Sequence, residues 1–196
     1  MYLIAGLGNP GLRYRHTRHN IGYQVISLWG RRLGVPLTSR RFRSRNIWTR
    51  FQGVDVVLLR PQTFMNQSGR SIKACLDFYG INAANLLIVH DDIDLSVGRI
   101  RVVRGGGGGG HKGVLSVIEQ TGSSLFARVK VGVGRPRCGE AIEEYVLSPF
   151  YREEGRIMEE VIRVSVRACE LFLSEGLDSA MNQINWQNIG EKEENN

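Results

Sequence analysis

Residues 2–11 read YLIAGLGNPG, an apolar run of strand type that ends in a formal G-x-G-x-x-G. Two folds compete for this stretch. A dinucleotide-binding loop opens a helix on its own glycines, so that a pyrophosphate meets exposed N–H groups. Here Pro10 removes one of those donors and biases Asn9 away from the helical region. The segment that follows, LRYRHTRHN, carries no apolar helical period. The acid that would hold a ribose hydroxyl some 20 residues on is also missing, since the first acidic residue of the chain is Asp55. The glycines instead predict a tight turn that brings backbone and the Asn9 side chain close to a ligand.

Outward from this turn, strands and helices alternate. Ile21, Val25, Leu28, Trp29 and Leu33 share one helical face, with Gly34 and Pro36 as stop signals. Residues 45–51 and 54–60 read as paired strands about Gly53, the second nearly all apolar and therefore central. A short helix is expected from Ser71 to Tyr79, buried strands at 86–90 and 100–103, a helix after the glycine run, and an alternating strand at 127–134. A long helix is expected over 151–175, with Ile157, Val161, Val164, Ala168 and Leu171 on one face and Gly176 closing it. The pattern predicts a single α/β domain over residues 1–187, a twisted mixed, largely parallel sheet flanked by helices, with a flexible polar tail at 188–196.

Composition narrows the class. No run of about 18 apolar residues exists, which excludes a membrane span, and no basic and apolar leader precedes the first strand. Cys75, Cys138 and Cys169 are scattered and lack C-x-x-C spacing, as expected of reduced thiols in a cytoplasmic protein. The net charge of +7 is placed unevenly. Residues 1–54 hold ten arginines, no lysine and no acid, whereas the remainder carries a net charge of −3. A one-sided basic field built from arginine alone suits bidentate contact with a polyanion; its plainer reading is a basic, soluble surface.

Open α/β sheets bind ligands outside the carboxyl ends of their strands. The unusual polar stretches lie there: GLGNPG after the first strand, PQTFMNQSG after VVLLR, HDDID after LLIV, and GGGGGGHKG after IRVVR. Together they predict one composite site. His19, in TRHN before the first helix, is either an exposed loop residue or a base that needs an orienting carboxylate. In HDDID, Asp91 shares strand parity with Leu87 and Val89, so it faces the apolar side and needs a partner such as an imidazole. Two other readings stand at this point: all three acids solvated, or a metal held by His90, Asp92 and Asp94. No G-x-S-x-G elbow and no Cys–His neighbour supports a covalent nucleophile. That leaves water activated by a His–Asp pair, with side-chain amides or glycine-loop N–H groups to hold an oxyanion.

The motifs GLGNPG-x-x-Y-x-x-TRHN-x-G, P-x-TFMN-x-SG, HDD-x-DL, GGHxG and VGVGRP occur in this order over residues 2–185. In this the chain resembles bacterial-type peptidyl-tRNA hydrolases. The resemblance implies hydrolysis of the ester between a peptide and the 3′ ribose of tRNA, with no cofactor and no metal, by a monomer that meets the acceptor stem and CCA end. It implies His19 as the water-activating base, Asp91 as the carboxylate that holds it, and Asn9 as the residue that helps distinguish blocked from free aminoacyl groups. Tyr14, Phe64 and Asn66 would contact the acylated end, with Met65 and His111 lining the same cleft. The family's phosphate-clamping positions are matched only approximately, by Val103 or the neighbouring Arg104 and by Lys130. Lys112 departs from the pattern, because the family usually has Asn there. A second reading is a non-catalytic RNA-binding relative on the same fold.

Overall fold

The computed structural model describes residues 1–190. Six strands, β1 (Tyr2–Gly6), β2 (Ser44–Phe51), β3 (Val54–Pro61), β4 (Leu86–Asp92), β5 (Ile100–Arg104) and β6 (Ala127–Gly132), form one sheet in the order β2-β3-β1-β4-β6-β5. The four central strands are parallel, and β2 and β5 pair antiparallel at the two edges. Strand alternation sends Ile4, Val56, Leu58, Leu87 and Val89 into one apolar layer, and Leu3, Ala5, Val57, Leu59, Leu86 and Ile88 into the other. The first layer is covered by α1 (Ile21–Arg32), α5 (Gly155–Ser174) and α6 (Leu177–Ile184), the second by α2 (Ser68–Tyr79) and α3 (Lys112–Thr121). The expected mixed, largely parallel α/β sheet is therefore the observed one.

The strand order has a functional consequence. β1 lies between β3 and β4 and pairs parallel with both, so the chain leaves it once to each side. The crevice at such a switch point opens outside the carboxyl ends of β1 and β4, where GLGNPG and HDDID stand. Glycine makes this junction possible. A Cβ on Gly6 would fall against the Gly22 carbonyl, and a Cβ on Gly22 would lie 2.5 Å from the Leu7 nitrogen. A Cβ on Gly8 would lie 2.6 Å from Cδ1 of Tyr23. The first two glycines of the loop thus let α1 settle against β1 and β4.

Several boundaries differ from expectation. α2 begins at Ser68 because a 3-10 turn, Met65–Gln67, leads into it. α5 begins at Gly155, since residues 152–154 form a 3-10 turn in which the Tyr151 N–H donates to Glu154. Two short helices were not expected, α4 (Ile142–Val146) and α6. The first has too few residues to display a period, and the second starts directly after the glycine that closes α5. The tail boundary at 187 falls too early: Asn188 bridges to Arg99, and Ile189 is buried in the core and donates its N–H to Gly98. The remainder of that tail, 191–196, lies outside the described residues. Among the described residues no helix is long and apolar enough to cross a membrane.

Candidate active site

The loops that follow β1, β3, β4 and β5 converge on a cleft of about 530 Å³. Asn9, His19, Phe64, Met65, Asn66, Asp91, His111, Lys112 and Lys130 all line it, as the strand-end pattern requires. Asp91, near the end of β4, is 3% exposed and accepts two imidazole hydrogen bonds. Nδ1 of His19 lies 2.9 Å from both carboxylate oxygens, and Nε2 of His111 lies 2.9 Å from Oδ1. Burial alone would raise the Asp91 pKa, but the two imidazoles outweigh it and hold the carboxyl well below the usual range.

Local structure fixes the proton positions. His111 caps α3, and its Nδ1 accepts from the N–H groups of Gly113 and Val114 at 3.1 and 3.2 Å. Its proton is therefore on Nε2, which donates to Asp91. His19 sits in a 3-10 turn, Arg18–Asn20, directly ahead of α1, and donates from Nδ1. In the neutral ring this tautomer leaves the lone pair of His19 on Nε2. An imidazole in that state can take a proton from water.

Asn9 is held just as firmly. Its N–H donates to Oδ1 of Asn20 and its carbonyl accepts from Nδ2 of Asn20, both at 2.9 Å. Its own Oδ1 accepts from the Met65 N–H at 2.8 Å, which orients the side-chain amide so that Nδ2 remains a donor. Phe64 stands at the rim, 57% exposed, and Met65 is buried beneath it.

Other expectations resolve differently. His90, Asp92 and Asp94 do not converge as a metal site. His90 turns Nδ1 to the Asp91 carbonyl at 2.6 Å, Asp92 pairs with Lys130 at 2.7 Å, and Asp94 pairs with Arg135. Burial, followed by the neighbouring His111, pushes the His90 pKa well down, so the ring is neutral. Among the described residues, the set whose possible ligand atoms lie within 4.8 Å of one another is instead His19, Asp91 and His111. Tyr14 does not line the cleft; its ring carries the Arg13 guanidinium at 4.5 Å. Arg104 is also remote, on the edge strand, where it pairs with Asp178 at 2.6 Å. Lys112 reaches the mouth but turns to Glu143 of α4. Arg18 departs most from a phosphate-facing arginine: it is fully buried and pairs with Glu154 at 2.7 Å.

Three contributors were not singled out from sequence. Asn20 clasps the Asn9 backbone across the turn, and nothing in TRHN marks it. Arg128, 2% exposed, donates to the carbonyls of Gly106 and Gly107 and so anchors the polyglycine loop whose residues 107–110 line the cleft. An arginine between Ala127 and Val129 on an apolar, central strand was the available signal. Ile142, Val146 and Leu147 supply an apolar wall from α4 and just beyond it, and no signal marked them.

The cleft's constellation of motifs has close relatives. Residues 3–195 match the family model of peptidyl-tRNA hydrolase. The chain belongs to the peptidyl-tRNA hydrolase family. It is 41% identical over 185 residues to the peptidyl-tRNA hydrolase of Alkaliphilus metalliredigens, covering 94% of this chain and 100% of that one. It is 40% identical to the peptidyl-tRNA hydrolase of Carboxydothermus hydrogenoformans, covering 94% and 98%. The crystal structure of peptidyl-tRNA hydrolase from Acinetobacter baumannii superposes with a TM-score of 0.90 at 34% identity, covering 96% of each chain.

Proposed function

We propose that this protein hydrolyses the ester between a peptide, or an N-blocked aminoacyl group, and the 3′ ribose of tRNA. One observation carries the reading: a buried, ionised Asp91 that holds the Nδ1 proton of His19 and leaves Nε2 free in the cleft. In the first step Nε2 takes a proton from water as its oxygen attacks the ester carbonyl carbon. The resulting oxyanion accepts from amide donors of the cleft, for which Asn66 and Nδ2 of Asn9 are the candidates. The imidazolium then returns its proton to the departing ribose oxygen. Asp91 stabilises that imidazolium, and His111, a second donor on the same carboxylate, keeps Asp91 ionised and oriented.

The same amide of Asn9 offers N–H to a carbonyl on a blocked amino group, whereas a free ammonium would meet a donor. Phe64 presents a face at the rim on which a base of the unpaired CCA end can stack. No step requires a metal. The acceptor stem and CCA end are the part of the partner that would meet this cleft, bound to a single copy of the chain in the cytoplasm.

His19→Ala tests the reading. Turnover of N-blocked aminoacyl-tRNA is expected to disappear while tRNA binding persists. Equal turnover by variant and wild type would refute the assignment. Binding by wild type without any turnover would favour the non-catalytic RNA-binding alternative.

A further inference from the structure

A second cleft, about 740 Å³, lies on the other side of the GLGNPG loop between that loop, α1 and the end of β3. Asn9 lines both clefts and is the wall between them. Arg60, the penultimate residue of β3, is half-buried in it. Its Nη1 donates to Oγ of Ser27 at 2.6 Å, but its Nε is buried with no partner. Beside it stands Tyr23, 8% exposed, whose hydroxyl is likewise buried without a partner. Arg15 and Arg31 line the same cleft, both exposed, and neither forms an ion pair among the described residues. The acid in the lining, Glu159, lies 3.7 Å from the guanidinium of Arg163, which is also in the lining. Arg163 also donates to Glu160 at 2.9 Å, so Arg15, Arg31 and Arg60 share a concave site whose one carboxylate is Glu159, and none of the three is ion-paired among the described residues. Burial draws the Arg60 pKa down; the neighbouring Tyr23 opposes this, and the charges of Arg45, Arg31 and Arg15 add to it.

Clustered cations and unsatisfied buried donors are costly in the free protein, and an anion with several acceptor oxygens relieves both. Planar guanidiniums match phosphate in particular. The volume admits a nucleotide-sized group, and the wall shared with the first cleft puts that group next to the reacting ester. We infer that this second cleft is a phosphate subsite, centred on Arg60 with Arg15 and Arg31, that takes a phosphodiester of the RNA strand adjoining the scissile ester. The inference rests on the hydrolase reading for its choice of strand. Free phosphate is the other source of the same chemistry.

The test compares wild type with Arg15→Gln/Arg31→Gln, whose side chains are exposed, and with Arg60→Gln. Two esters are supplied: N-acetylaminoacyl-tRNA and the same acyl group on adenosine alone, which has no phosphate. With tRNA, KM is expected to rise about tenfold in the double variant, and the slope of log KM against log salt to become shallower by about 1.4 for two lost single-strand contacts. The adenosine ester is expected to be cleaved at the wild-type rate by the double variant. An equal effect on both esters, or none on either, would overturn the subsite. Binding of the 5′-phosphorylated trinucleotide CCA is measured in parallel, with inorganic phosphate as competitor. Weaker trinucleotide binding by both variants supports the proposal, whereas binding of inorganic phosphate that the trinucleotide does not displace would overturn the assignment to the strand. If wild type cleaves neither ester, the hydrolase reading fails, and trinucleotide binding still decides the subsite.

Discussion

Glu154→Gln is the substitution whose cost can be worked most directly from the structure. Oε2 of Glu154 accepts from Nη1 of Arg18 at 2.7 Å and from the Tyr151 N–H at 2.9 Å, and both charged side chains are buried. A glutamine oxygen in that place keeps both hydrogen bonds; the charge goes, and with it the 3.3 Å contact that Arg137 makes to Oε1, where the amide NH2 would stand. Removing one partner of a buried ion pair costs about 3–5 kcal/mol, because the remaining charge stays out of water uncompensated. Here the rings of Tyr145, Phe150 and Tyr151 stand 4.3, 4.8 and 4.7 Å from the Arg18 guanidinium and remain in the variant. Their cation–π attraction offsets part of the loss, which sets the expectation at the lower end, about 3 kcal/mol. For a domain of this size that lowers Tm by about 6–12 °C. Urea and thermal unfolding read the change. Arg18→Met in the same background removes the stranded charge and fills the aromatic cage, so the double variant is expected to recover most of the loss. A single variant within about 1 kcal/mol of wild type, or a double variant no better than the single, would refute the reasoning. Because Arg18 directly precedes His19, the single variant should lose activity at temperatures where it is still folded.

The other expectations concern the site and the packing around it. Asp91→Asn offers one acceptor to two imidazole N–H groups, so kcat for N-blocked aminoacyl-tRNA is expected to fall by about 10²–10⁴ with KM nearly unchanged; a fall in affinity without loss of kcat would contradict the role. Since its carboxyl is held below the ordinary range, Asp91's share of stability is complete above about pH 4 and disappears as pH falls through its folded value. The stability gap between wild type and Asp91→Asn should therefore narrow in acid, as urea titrations across pH will read. Cys75, its thiol pushed up to about 12 by burial, and the buried Cys169 should resist a thiol reagent that modifies exposed Cys138, giving one reactive thiol when native and three in denaturant. Gly22→Ala forces a Cβ against the Leu7 nitrogen and the Val89 carbonyl, and should destabilise by about 1–3 kcal/mol in chemical unfolding.

The strand-end rule and strand parity made most of this site legible. Parity placed Asp91 on a face where a carboxylate needs a partner, and His19 and His111 both supply one. Pro10 and the missing acid excluded a dinucleotide loop, and the structure assigns Gly6 and Gly8 to helix and side-chain packing instead. What escaped was set by tertiary contact. Nothing local distinguishes Arg18, buried on Glu154 some 136 residues away, from the exposed arginines around it. Arg104 and Lys112 found carboxylates, Asp178 and Glu143, on short helices that periodicity could not reveal. The role of Asn20 depends on its facing Asn9 across the turn, a geometry that no spacing encodes.

The central claim is tested most directly by following hydrolysis of N-blocked aminoacyl-tRNA beside the unblocked form, with EDTA present, for wild type and Lys112→Asn. Lys112 turns from the His19–Asp91 pair to Glu143, so the account predicts release from the blocked form alone, insensitive to chelator, in both proteins. No release by wild type, or release that EDTA abolishes, would contradict it.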